Sequence, residues 1–395
     1  MENREEMLHL FDRSRQLWLE GPDPHTNCGY NYRTMAEFVP GLELSRQFYF
    51  EAVRPILHRE FPGLRYSAGL LGWGSEVLGF DTPMSSDHHW GPRVLIFLSD
   101  KKVDDLTREI DSTLSSELPY EFMGYSTSFS DPQPNGVRHQ IKIKSGKVSH
   151  IVQVFSIRSF FWARLRVDPY KKISAARWLT FPQQRLLELT SGDVFFDGLG
   201  ELEKVRQKFG YYPRDIWLYI LAAQWKKISQ EEAFVGRTGE IGDELGSRLI
   251  ASRIVNEIIG LCFLMERRYM PYRKWVGRAF SKLAISRKLQ PILSEVLSAD
   301  NWRSRETRLS KAYSVIAAAH NKLGITKPLP TRTSNYFSRP YKVIHADVFS
   351  DEISKAITSS TVKRLRPNIG SIDQFASSTD LLSDMSLCRE LDSIY

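Results

Sequence analysis

Two short apolar runs with a glycine-containing turn between them constrain this chain more than any other feature. Ser67-Ala68-Gly69-Leu70-Leu71 reads as a buried strand that runs into a turn at Gly74-Ser75. Eleven residues after Ser75 comes Ser86-Asp87-His88-His89, followed by the apolar run Val94-Leu95-Ile96-Phe97-Leu98, a second strand. Backbone N–H groups in a Gly-Ser turn suit phosphate oxygens. A carboxylate at a strand edge suits Mg2+, which takes oxygen ligands in near-octahedral geometry. Two carboxylates one residue apart would hold that ion against a triphosphate. Here Asp87 is present, and His89 stands at the second place. Imidazole is a poor ligand for Mg2+ and suits Mn2+ or Zn2+ better. A simple turn and loop is the plainer reading of the same spacing.

The surrounding pattern predicts an α+β module. Leu42 to Arg59 has helical spacing at Leu44, Phe48, Val53 and Leu57, with Pro55 marking a kink or break. Val103 to Leu118 reads as a helix. His139 to Lys144 and Lys147 to Phe155 flank Ser145-Gly146, a hairpin signal. After about residue 165 helical spacing takes over. Pro213 opens a helix with Ile216, Trp217, Ile220, Leu221 and Trp225 on its stripe. Glu240 to Arg268 reads as a longer helix, with Leu245, Leu249, Val255, Ile258, Ile259, Cys262 and Met265 near one face. Thr307 to Leu323 is another, ended by Gly324. The expected organisation is a lead-in at 1–37, a mixed sheet with helices at 38–165 and a helical bundle at 166–325. An extended C-terminal segment with a loose tail follows at 326–395.

Composition narrows the class. The chain has 395 residues, 42% of them hydrophobic and 12% aromatic, enough for two folded cores. No apolar run reaches the roughly 20 residues of a membrane span, so no membrane partner is expected. Cys28, Cys262 and Cys388 are far apart and form no CxxC, which argues against a disulfide scaffold and for a cytoplasmic setting. The net charge is +8. Residues 138–178 carry ten Lys and Arg against Asp168 alone, a net +9. Such a stretch attracts anions or nucleic acid, or is a solvated face.

The stretch from Gly74-Ser75-Glu76-Val77-Leu78-Gly79-Phe80-Asp81 through Ser86-Asp87-His88-His89-Trp90-Gly91-Pro92-Arg93 resembles domain-of-unknown-function family 4037. That family is placed among nucleotidyltransferase-like proteins of the DNA polymerase β superfamily. The resemblance continues in Gln224-Trp225, Ser229-Gln230-Glu231-Glu232, Gly236-Arg237, Gly239 to Gly246, Arg267-Arg268-Tyr269 and Lys274-Trp275. Near the C-terminus its distinctive block is Asp373-Gln374-Phe375, and it covers nearly the whole chain from Phe38 to about Leu382. It implies an N-terminal polymerase-β-type nucleotidyltransferase domain followed by a helical bundle. It also implies triphosphate held by Gly74, Ser75, Ser86, Arg93 and Lys274, and metal, Mg2+ or Mn2+, held at Asp87. His89 departs from the superfamily's Asp-x-Asp. The third carboxylate, expected on a neighbouring strand near Gln153, is also missing, because 132–167 contains no Asp or Glu.

The crowded corner at Glu231, Glu232, Arg237, Glu240, Asp243, Glu244 and Arg248 offers Glu231 or Asp243 as a general base. In related antibiotic nucleotidyltransferases the base does come from the helical domain. Helix capping and salt bridges explain the same residues. The expected activity is transfer of a nucleoside monophosphate from a nucleoside triphosphate to a hydroxyl of a small-molecule acceptor. A nucleotide- or ligand-binding protein without turnover is the alternative, favoured by the missing carboxylates. A third reading is an RNA- or protein-modifying transferase, with nucleic acid the less favoured partner.

Overall fold

Pro55 shapes the first helical stretch. In the computed structural model, which describes residues 38–395 apart from Asp87 and Asn135, helix α1 (Gly41–Phe48) passes through a π-helical stretch at Tyr49–Val53 into α2 (Arg54–Glu60). Proline has no N–H to give and crowds the carbonyl four residues back. A wider π turn just ahead of it keeps the chain helical. The expected lead-in at 1–37 lies outside the described residues.

The chain divides into two units. Among the described residues, unit 1 comprises 38–161 and Glu188–Arg206; unit 2 comprises Trp162–Leu187 and Gln207–Tyr395. Unit 1 is built on β1 (Ser67–Leu70), β2 (Leu95–Leu98), β3 (Gln153–Ser156) and β4 (Asp193–Asp197), in the order β3-β2-β1-β4. β1 pairs antiparallel with β2, placing Ala68 beside Ile96, and antiparallel with β4. β2 pairs parallel with β3, placing Leu95 beside Gln153. The sheet is mixed, and the class is α+β.

One face of this sheet, with Ala68, Leu70, Ile96 and Leu98, buries against Phe48, Tyr49, Val53 and Leu57 of the first helical stretch. Ile110 and Leu114 of α3 (Val103–Glu117) join the same core. On the other face Phe97 and Phe155 meet Phe160 edge-on. Gly69 sits where a Cβ would come 2.5 Å from the Asp193 carbonyl, so only glycine lets β4 approach there.

Two expectations for this part of the chain give way. Residues 193–197, expected within the helical bundle, form β4. The hairpin at Ser145-Gly146 does not form as a ladder, because residues 126–130 take its hydrogen bonds. Phe129 donates to the Ser149 carbonyl, Ser130 to that of His139, and Ile141 to that of Ser128. The buried Ser126 hydroxyl caps the arrangement on the Ile141 carbonyl.

Unit 2 is helical. α4 (Arg214–Glu231) begins after Pro213 and is buried nearly all round, from Ile216 to Ile228, as expected of a helix at the centre of a bundle. α5 (Phe234–Glu240), α6 (Glu244–Met265), α7 (Ser286–Ser298) and α8 (Trp302–Lys322) follow. The C-terminal residues, expected to be extended and loose, form a hairpin (Ser334–Tyr336 with Arg339–Val343) and α9 (Ala346–Lys355), which packs on α4. Short helices run to the C-terminus, where the Tyr395 hydroxyl donates to the Gly370 carbonyl.

Candidate functional site

The turn after β1 is set by glycines. Gly72 has φ +92° and Gly74 φ +132°, and a Cβ on Gly74 would lie 2.6 Å from the Glu76 carboxylate oxygens. The Gly72 N–H donates to the Glu188 carbonyl, and the turn closes by Phe80 N–H to the Ser75 carbonyl at 2.8 Å. Among the described residues, no acceptor takes the N–H groups of Trp73, Gly74 or Ser75. All three residues are partly exposed. Successive N–H groups left open in this way form a concavity suited to an anion.

Glu76 and Arg93 bind the two halves of the motif to each other. Both side chains are buried, with Arg93 Nη1 2.5 Å from Glu76 Oε1. The same guanidinium donates to the His89 carbonyl at 3.1 Å and to the Trp73 carbonyl at 3.2 Å. It lies 4.3 Å over the Trp73 ring. Burial pushes the Glu76 carboxyl up from its ordinary value, and the Arg93 charge pulls the other way. Arg93, expected to meet nucleotide, is committed to this clamp.

The remaining expected ligands have local partners. The Ser86 hydroxyl donates to the Pro83 carbonyl at 2.7 Å. Asp81, the other carboxylate between the turn and Ser86, accepts from the Gly41 N–H and the Trp90 indole on one oxygen. His89 has φ +50° and donates its backbone N–H to the Arg138 carbonyl. Its ring sits edge-on to Trp73. Burial first, then the charges of Arg93, His88, Arg138 and His139, bring its pKa down to about 4. The imidazole is neutral at pH 7. Asp87 lies outside the described residues.

These residues do not fit a two-carboxylate Mg2+ site. Asp81 and Glu76 are engaged, His89 is a nitrogen donor, and β3 offers Gln153 in a segment, 132–167, that has no Asp or Glu of its own. Among the described residues no group of three His, Cys, Asp or Glu side chains is placed to hold a metal.

The corner residues of unit 2 have structural partners. The Asp243 carboxylate caps α6 by accepting the Gly246 N–H at 2.8 Å. Glu231 pairs with Arg253, Glu240 with the Tyr341 hydroxyl, and Glu244 with the buried Arg305. Glu232 accepts the N–H groups of Ile344 and Ala346, and burial pushes its carboxyl up to about 7. Lys274 is exposed, its ammonium over the Trp275 ring. The basic stretch is likewise partly consumed. Arg138 serves the Ser130 carbonyl and Ser149, Arg158 pairs with Asp100, and Arg177 is buried against the Leu165 carbonyl.

Sequence reasoning did not foresee a polar network in unit 2. Gln374 Nε2 donates to Gln224 Oε1 at 2.7 Å, and Gln224 Nε2 to Glu257 Oε2 at 2.6 Å. Lys227 bridges Glu257 and the Gln374 carbonyl. Asp373 accepts the Gln183 N–H, and burial pushes its carboxyl up to about 6. These residues line a pocket of about 30 Å3, room for a water rather than a nucleotide. Gln224-Trp225 and Asp373-Gln374-Phe375 are both blocks of the resemblance, and that is the signal the sequence holds for this network.

Residues 178–276 match the model of a family described as a domain of unknown function, DUF4037. Over these residues the chain is similar to that family. The matched stretch runs through α4, α5 and α6, and includes Gln224-Trp225, Gly236-Arg237, Arg267-Arg268-Tyr269 and Lys274-Trp275, where the resemblance holds. The Gly74-Ser75 and Ser86 to Arg93 blocks lie outside the matched DUF4037 residues. Among solved structures, the chain is similar to a nucleotidyltransferase-like protein from Exiguobacterium sibiricum 255-15. Identity is 9%, over 80% of this chain and 89% of that one, with a TM-score of 0.29, too low to establish a shared fold. No curated protein matches the chain.

Proposed function

We propose that unit 1 of this protein binds a nucleoside triphosphate by its phosphates at the Trp73–Ser75 turn, without a two-carboxylate magnesium site. One observation carries the reading: three successive N–H groups at a glycine turn with φ +132° at Gly74 have no acceptor among the described residues. Among the described residues, the charges that bear on the adjacent His89 come from Arg93, His88, Arg138 and His139, and basic surroundings favour an anion. The resemblance to nucleotidyltransferase-like proteins supplies the ligand class.

A second reading is favoured by the neutral state of His89. Transfer of a nucleoside monophosphate to the hydroxyl of a small acceptor could use one Mn2+ held by Asp87 and His89. Unprotonated imidazole is a competent ligand for that ion. The metal would offset charge on the phosphates.

Calorimetric titration with ATP, GTP, CTP and UTP, each with Mg2+ and with Mn2+, tests both readings. The leading one expects at least one triphosphate to bind, binding that survives Asp87→Ala, and no pyrophosphate release with candidate acceptors. No binding to any triphosphate would overturn it. Pyrophosphate released in Mn2+ and abolished by Asp87→Ala would put the second reading in its place.

A further inference from the structure

Part of the basic stretch in unit 1 is left open to solvent. Lys142, Lys144 and Lys147 are exposed, and among the described residues no hydrogen bond or ion pair takes any of their side chains. Residues 132–148 supply no Asp or Glu to neutralise them. The backbone beneath them is fixed. Ile143 packs against the core of unit 1, Val148 is buried in it, and the Val148 N–H donates to the Ser115 carbonyl at 2.7 Å. Between these anchors Gly146 turns the chain at φ +91°. An aromatic ring is held at the same turn. The Tyr120 hydroxyl donates to the Gly146 carbonyl at 3.1 Å, and Tyr120 is 39% exposed. It therefore lies at a turn with Lys144 on one side and Lys147 on the other. Of the acids flanking Ser115 on α3, Glu117 pairs with Arg59 and Asp111 lies beside His150. Exposed Glu121, next to Tyr120, faces three lysines in the balance of charge.

We propose that this turn is a binding surface for single-stranded nucleic acid, with Tyr120 stacking on a base and Lys142, Lys144 and Lys147 meeting the phosphates. Surfaces that hold single strands combine cations along the backbone with aromatic faces for the bases. Both parts are present here, and the fold holds the ring in place before a ligand arrives, which lowers the cost of binding. An acidic peptide would satisfy the lysines but brings no planar group for the ring. A duplex keeps its base faces inside the stack and would meet the lysines alone. Little sequence preference is expected, because every base has a π-face. The proposal uses no residue of the Trp73–Ser75 turn and stands whether or not a triphosphate binds there.

Fluorescence anisotropy tests it, with a labelled single-stranded RNA of about 12 nucleotides, within the usual site size, titrated with the full-length protein at rising salt. The expected result is binding that weakens with salt and is tighter than for the same sequence as a duplex. Tyr120→Ala should weaken it about fivefold or more with the salt slope kept. Tyr120→Phe, which retains the ring, should bind more tightly than Tyr120→Ala. The Lys142→Ala/Lys144→Ala/Lys147→Ala variant should flatten the salt slope by about 2, at about 0.7 per phosphate contact. Its melting temperature and triphosphate affinity should be unchanged. No binding of the single strand at low salt would overturn the proposal, as would a lysine variant or a Tyr120→Ala variant that binds as tightly as the wild type. Equal binding of the duplex would overturn the stacking role. Polyglutamate that competes as well as RNA would also overturn it, and would make the turn a site for an acidic protein.

Discussion

Gly74 and the Glu76–Arg93 pair do most to hold the candidate site, and each makes a separable prediction. Gly74→Ala places a methyl against the Glu76 carboxylate at a φ that side chains rarely adopt. It should cost about 1–3 kcal/mol of stability and weaken triphosphate affinity at least tenfold, roughly 1.4 kcal/mol, by melting and calorimetry. Glu76→Gln leaves the Arg93 charge buried without its counter-ion, and unit 1 should lose about 3–5 kcal/mol, read by denaturant unfolding. At His89 the fold favours the neutral ring, because its pKa falls from 6.5 to about 4. The stability this contributes is complete above pH 6.5 and is lost as pH falls toward 4. An NMR titration should find the His89 ring still neutral at pH 6; a midpoint near 6.5 would contradict the environment described.

Among the helices, the issue is whether the charged corner of unit 2 acts or merely supports. Asp243 caps α6, so Asp243→Ala should lower stability by about 1 kcal/mol. The melting temperature should then fall by about 2–4 °C, with triphosphate affinity unchanged. Loss of a transfer activity with an unchanged melt would restore the general-base role. The sequence held both explanations, because a carboxylate three residues before Gly246 is a capping signal and also a base. Geometry separates them. Pro55 was legible because a missing N–H has one local consequence, whereas the Ser145-Gly146 hairpin was misread because its partners come from residues 126–130. Leu245 and Leu249, expected on the face of Val255, Ile258 and Cys262, point outward instead, 70% and 58% exposed, for a related reason. α6 carries apolar residues on several faces, and only its neighbours decide which are covered.

At the scale of the whole molecule, local pattern revealed the mixed sheet, the turn after β1 and the helical second half. It did not reveal β4, since Asp193-Val194-Phe195-Phe196-Asp197 is a short apolar run amid helices and becomes a strand only by pairing with β1. Nor did it reveal that Arg93 faces inward, which follows from Glu76 lying buried seventeen residues earlier. The central claim is that the Trp73–Ser75 amides receive the phosphates. Amide hydrogen exchange on the full-length protein, with and without a saturating triphosphate, tests it directly. The account predicts slowed exchange at Trp73, Gly74 and Ser75, larger than at any other turn of unit 1. A triphosphate that binds while those three amides exchange at their original rate would contradict it.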